Sequence, residues 1–118
     1  MITMNTNKLV IGTGSTPYHP SWLHGTELKN VFSVPKDKNY LDDMQQKLQG
    51  CNKIITIGAG FIGVELSDEL RKAGKDVLLI EKLPNILGLA FDEDISVRAQ
   101  ELLVNRGIIL KPVWRAKS

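Results

Sequence analysis

The stretch from Lys53 to Glu81 limits the possible folds of this chain more than any other. Lys53-Ile54-Ile55-Thr56-Ile57 is short, rich in β-branched residues, and runs directly into Gly58-Ala59-Gly60-Phe61-Ile62-Gly63. Past the glycines, Ile62, Leu66, Leu70 and Ala73 recur at helical spacing, and Gly74 closes the pattern. Asp76-Val77-Leu78-Leu79-Ile80-Glu81 is then an apolar run bounded by charges. That composition predicts a strand buried on both faces of a parallel sheet. A strand, a glycine turn, a helix and a second strand make a right-handed βαβ unit.

The same alternation continues downstream. Pro84 to Phe91 reads as a loop, and Asp92 is placed to cap a helix with Ile95, Ala99, Leu102 and Leu103 inward and Gly107 at its end. Glu93 and Asp94 suit the positive end of that helix and Arg106 its negative end. Ile108-Ile109-Leu110 begins a third strand. Upstream, Lys8-Leu9-Val10-Ile11 reads as a strand entering the loop Gly12–Pro17, and residues 18–29 as an irregular connection. Asn30 to Val34 suggests a brief strand. A helix is expected from about Asp37 to Gln49, with Tyr40, Leu41, Met44 and Leu48 as its apolar stripe and Gly50 after it. The fold class is therefore α/β, a Rossmann-like parallel sheet (β-α-β-α-β) that is truncated. The division expected is an N-terminal segment over residues 1–29, then one domain over residues 30–118.

Composition removes several function classes. With 118 residues there is room for one core, and 42% hydrophobic with 24% charged residues is ordinary for a globular domain. The formal charge of +2 is dispersed, with no basic block among aromatics, which argues against nucleic-acid binding. No run approaches the roughly 18 apolar residues of a membrane helix, and the first residues carry neither the basic nor the apolar region of a signal peptide. The one cysteine, Cys51, cannot form an internal disulfide, and it fits a cytoplasmic location. It lies outside any redox motif. His19 and His24 have no acid or cysteine at ligand spacing, so no metal site is expected.

The glycine loop carries the chemistry. Gly58 permits the tight turn, Gly60 lets backbone approach a pyrophosphate, and Gly63 lets the helix pack closely on the sheet. The first amides of that helix form an anion site with the macrodipole behind them. Glu81 ends the second strand about 20 residues beyond the loop, where this arrangement sets an acid against ribose hydroxyls. Its carboxylate favours NAD(H) and repels the 2′-phosphate of NADP(H), and Lys82 beside it softens that repulsion. Glu65 is expected in the first helical turn, where any carboxylate gains from the dipole. Asp68 and Lys72 form an i,i+4 pair expected on a solvated face.

Gly58-Ala59-Gly60-Phe61-Ile62-Gly63-Val64-Glu65, together with Val77 to Lys82, resembles the NAD(P)H-binding domain of the FAD-dependent pyridine nucleotide–disulfide oxidoreductases. This family includes NADH oxidases, coenzyme A disulfide reductases and dihydrolipoamide dehydrogenases. Leu9 to Pro17 is similar to the family's Ala-Thr-Gly-Ser-x-Pro segment, with Gly12 where alanine is usual, and Phe91-Asp92-Glu93-Asp94-Ile95 also fits. The resemblance implies a chain that presents the nicotinamide of NADH for hydride transfer to FAD. It puts Ala59, Phe61 and Ile62 in the loop lining the dinucleotide, and Glu65 near the nicotinamide. The same resemblance implies that residues 1–29 are a tail and a stub of the flavin domain, that residues 30–118 are an NAD(P)H-binding domain incomplete at its C-terminus, and that most of the flavin site, the paired redox cysteines and the interface domain lie outside these residues. No catalytic residue is therefore assigned within the chain. Its implied partners are the dinucleotide, those flavin and interface domains, and a second copy through exposed apolar edges. The alternative reading is a non-catalytic NAD-binding module with a regulatory or redox-sensing role. A self-sufficient dehydrogenase is disfavoured, because Tyr18 and Tyr40 belong to no Tyr-x-x-x-Lys pattern.

Overall fold

A computed structural model describes residues 1–113. The chain divides into two compact units, Met1–Met44 and a second beginning at Gln45.

The first unit is mostly irregular. Lys8 to Ile11 does not form the expected strand, and Leu9, Val10 and Ile11 are all exposed. No strand pairs with it among the described residues, and a lone strand has no ladder to satisfy its backbone. Asn30 to Val34 is likewise without strand structure. Helix α1 (Lys38–Gln49) forms where expected. Asp37 starts it by accepting the amide N–H of Tyr40 on Oδ1 at 3.1 Å, a side-chain N-cap. Met44 is its buried residue, while Tyr40 lies at the exposed margin and its hydroxyl accepts the Ser33 amide.

The second unit is built on strands β1 (Lys53–Ile57), β2 (Asp76–Glu81) and β3 (Ile109–Pro112), parallel and in the order β1-β2-β3. Thr56 pairs with Leu79 and Leu79 with Leu110, so these three side chains share one face. On that face Val77 and Leu79 join Leu70, Ile86, Leu103 and Ile108 in the core. The other face carries Ile55, Leu78 and Ile109 in one row and Ile57 and Ile80 in the next. Ile55 and Ile109 are 60% and 66% exposed there. The expectation of a second strand buried on both faces is thus corrected: Val77 and Leu79 are buried, but Leu78 and Ile80 are only half-buried.

Helices α2 (Phe61–Lys72) and α3 (Glu93–Asn105) supply the cover. In both, half of the expected apolar face turns inward, with Leu66 and Leu70 of α2 and Ala99 and Leu103 of α3 in or against the core, and the other half does not. In α2 the buried positions are Ser67 and Leu70, while Ile62 is 62% exposed and Ala73 is exposed. The cause is Gly63, where a Cβ would fall 1.8 Å from the Gly58 carbonyl oxygen. That approach fixes the row Gly63, Ser67, Leu70 against the sheet and rotates Ile62 outward. In α3 Ser96 and Leu103 are buried and Ala99 half-buried, whereas Ile95 and Leu102 are exposed. Small side chains again take the contact row, because they let the helix axis approach. Asp92 holds the N-cap position without a side-chain hydrogen bond, and Glu93 and Asp94 fill the first turn as expected.

The Asp68–Lys72 pair is not a solvated decoration. The Asp68 side chain is 15% exposed, and it also accepts a hydrogen bond from Arg106, tying α2 to the end of α3. Hydrogen bonds from Lys72 and then Arg106 hold its carboxyl below the usual carboxylate range.

Candidate functional site

The site lies where β1 turns into α2, at the carboxyl ends of the strands, the usual ligand crevice of a parallel α/β sheet. The ladder continues one residue past β1, with the Gly58 amide donating to Ile80 O at 2.8 Å. Gly58 then adopts φ +97°, a backbone angle that side chains other than glycine's rarely allow. Gly60 is the N-cap of α2 and provides no side-chain cap. The amides of Phe61, Ile62 and Gly63 therefore begin the helix with no carbonyl four residues earlier inside it. A Cβ on Gly60 would meet nothing within 4 Å. The space beside these donors is open, which suits a diphosphate and leaves no role for a side chain there.

Ala59, at the centre of the loop, is only 1% exposed and is held from both sides. Its amide donates to Oε2 of Glu81 at 2.6 Å, and its carbonyl accepts the Leu87 amide at 2.7 Å. The other Glu81 oxygen, Oε1, accepts the Leu83 amide at 2.8 Å. Each carboxylate oxygen has a further lone pair, so Glu81 keeps acceptor capacity for hydroxyl groups. Lys82, next in the chain, is exposed.

The remaining expected site residues fall around this loop. Phe61 is largely exposed and meets Phe91 edge-to-face, with centroids 5.6 Å apart and an interplanar angle of 76°. Ile62 faces outward and is not part of the core. Glu65 is the fifth residue of α2 and not in its first turn, because the helix begins only at Phe61. It is exposed and one turn removed from the amides.

Two contributions to the site went unread in the sequence. Phe91 was read as a loop end and as part of the family-like helix start, without a contact to Phe61. Leu87 is the one non-glycine residue with positive φ (55°) among the described residues, an arrangement that costs on the order of 1–2 kcal/mol. No residue type announces a left-handed leucine. The only hint was Gly88 beside it in a loop opened by Pro84.

Residues 2–115 match the pyridine nucleotide-disulphide oxidoreductase family. The chain belongs to that family. It is 34% identical over 110 residues to an NADH oxidase from Methanocaldococcus jannaschii, covering 89% of this chain and 23% of the relative. A nitric oxide reductase FlRd-NAD(+) reductase from Klebsiella pneumoniae is 31% identical over 104 residues, with 88% and 26% covered. Among solved structures, the water-forming NADH oxidase from Lactobacillus brevis bound to NADH is 26% identical with TM-score 0.76. That match covers 84% of this chain and 22% of the other. The chain spans about a quarter of the length of the relatives it matches, and the part shared with the solved structure has the α/β Rossmann-like fold.

Proposed function

We propose that this chain is the NADH-binding part of a flavin-dependent oxidoreductase. The observation that carries the reading is the pairing of an open anion cradle at Gly60 with an acid bonded directly to the same loop, Glu81 on the Ala59 amide. The amides of Phe61, Ile62 and Gly63 hold the pyrophosphate, favoured by the positive end of α2. Glu81 accepts from the adenosine ribose hydroxyls with the lone pairs its backbone partners leave free. A 2′-phosphate brought beside it meets a like charge, so NADH is preferred, and Lys82 limits the margin. Phe61 and Ile62 flank the bound dinucleotide, and Glu65 stands nearer the nicotinamide. NADH supplies a hydride, and FAD, held mainly by residues outside this chain, receives it. The part played here is to fix one reactant in place, and that is where much of the rate of such a transfer arises.

The same reading makes the chain catalytically incomplete alone, with flavin and interface domains as its partners in a cytoplasmic enzyme. The exposed sheet face carrying Ile55, Ile57 and Ile109 and the unpaired edge of β1 support association with those domains or with a second copy. Titration with NADH and NADPH by calorimetry or nucleotide fluorescence tests the proposal. Weak binding with NADH the tighter ligand is expected, and no hydride transfer. Binding of neither at millimolar concentration contradicts it.

A further inference from the structure

We infer that Leu87 is a positioning residue for the dinucleotide site, acting through the Ala59 peptide. The inference rests on the NADH reading above and adds to it a residue from a different loop. Ala59 is the peptide on which the direction of the following amides depends, since Gly58 before it and Gly60 after it both lack a Cβ to restrain them. Two hydrogen bonds hold that residue, one on each of the two peptide groups that meet at it. Glu81 takes its N–H, and the amide of Leu87 reaches its carbonyl. The second bond is made from a left-handed backbone. A strained conformation persists only where its surroundings over-determine it, and these do. Ile86 immediately before is fully buried in the core, and the amides of Ala90 and Phe91 both bond back to the Leu87 carbonyl. Leu87 is therefore the point at which the 83–91 loop, anchored in the core, grips the glycine loop. Phe91 from the same loop meets Phe61 at the start of α2, a second contact between the two segments.

The side chain of Leu87 also packs against the core, so a purely structural role must be separated from positioning. The two roles rank substitutions in opposite order. Val keeps apolar packing but resists the left-handed region, whereas Asn forfeits the packing and tolerates that region. If Leu87 positions the loop, Leu87→Val weakens NADH binding about fivefold or more, while Leu87→Asn stays within about twofold of wild type. Leu87→Gly, which has the backbone freedom and no side chain, likewise retains binding. A ligand-free measurement runs beside it on the whole chain. The residue-87 amide, bonded to Ala59 O, exchanges with solvent about tenfold faster in Leu87→Val and near the wild-type rate in Leu87→Asn. If Val binds NADH better than Asn does, or if the residue-87 amide exchanges no faster in Leu87→Val, the inference is overturned. A wild-type chain that binds no NADH overturns the nucleotide reading beneath it, and the inference with it. The exchange rates separate those two failures, because they report the grip with no nucleotide present.

Discussion

The two ends of the parallel sheet treat their backbone polar groups in opposite ways. At the amino ends of the strands, helix carbonyls are closed off by cationic side chains. Lys75 Nζ donates to Leu48 O at 2.8 Å and Cys51 O at 2.7 Å, sealing the end of α1. Arg71 donates through Nε to Arg106 O at 2.9 Å and through a terminal nitrogen to Lys75 O at 3.1 Å. Asp68 joins Lys72 and Arg106 across the two helices. At the carboxyl ends, α2 begins on Gly60 with no side-chain cap, beside open space. There the backbone is held from behind, at Ala59, while the donors in front are left for a ligand. One end spends its charges on stability, and the other reserves its donors for binding.

Substitutions break this contrast in order of size. Gly63→Ala has the largest effect, because its methyl would sit on the Gly58 carbonyl, and the atom it meets is backbone rather than the end of a flexible side chain. A loss of at least about 3 kcal/mol is expected, read from the denaturant midpoint. Glu81→Ala comes next. It strips the acceptor from the Ala59 amide, which is buried, for about 1–3 kcal/mol. NADH affinity falls about tenfold with no matching gain for NADPH, since the loop loosens along with the lost selectivity; Glu81→Gln, keeping an acceptor oxygen, loses less. Arg106→Ala belongs to the other end. It costs about 1 kcal/mol at most and leaves NADH affinity unchanged in calorimetry.

The smallest effect is a pH dependence. The folded Asp68 carboxyl titrates below its ordinary value of 3.8, because the hydrogen bonds from Lys72 and Arg106 favour its charged form. Its stabilising contribution is whole above that value and disappears as the pH falls through the lower folded one. Asp68→Asn should therefore flatten the acid limb of the stability curve, measured by urea melts stepped downward from pH 5, without moving nucleotide affinity.

The parts of the fold that were legible in the sequence are those where local chemistry decides. The bounds of β1 and β2, the glycine turn between them and the stop at Gly74 follow from β-branched runs and from a residue that tolerates positive φ. Which helix face turns inward was legible only in part, since Leu66, Leu70, Ala99 and Leu103 lie in or against the core as expected. Apolar size also favoured Ile62, Ile95 and Leu102, but backbone approach at Gly63 and the small residues Ser67 and Ser96 took the buried positions instead. Lys8 to Ile11 has the composition of a strand, yet a strand also needs a neighbour, which composition does not report. The places of Gly58, Gly60 and Gly63 at the β1–α2 turn and of Glu81 at the end of β2 were readable from spacing alone. Leu87 was not, because its contribution is a backbone angle and a hydrogen bond made far along the chain.

The central claim is that nucleotide is held at the carboxyl end of the sheet and nowhere else in this chain. Amide chemical shifts followed during NADH titration test it most directly. The account predicts changes confined to Gly58–Gly63, Glu81 and the 83–91 loop, with Arg71 to Asp76 and Arg106 unmoved. Shifts centred on the Arg71–Asp76 end, or none anywhere at millimolar NADH, would contradict it.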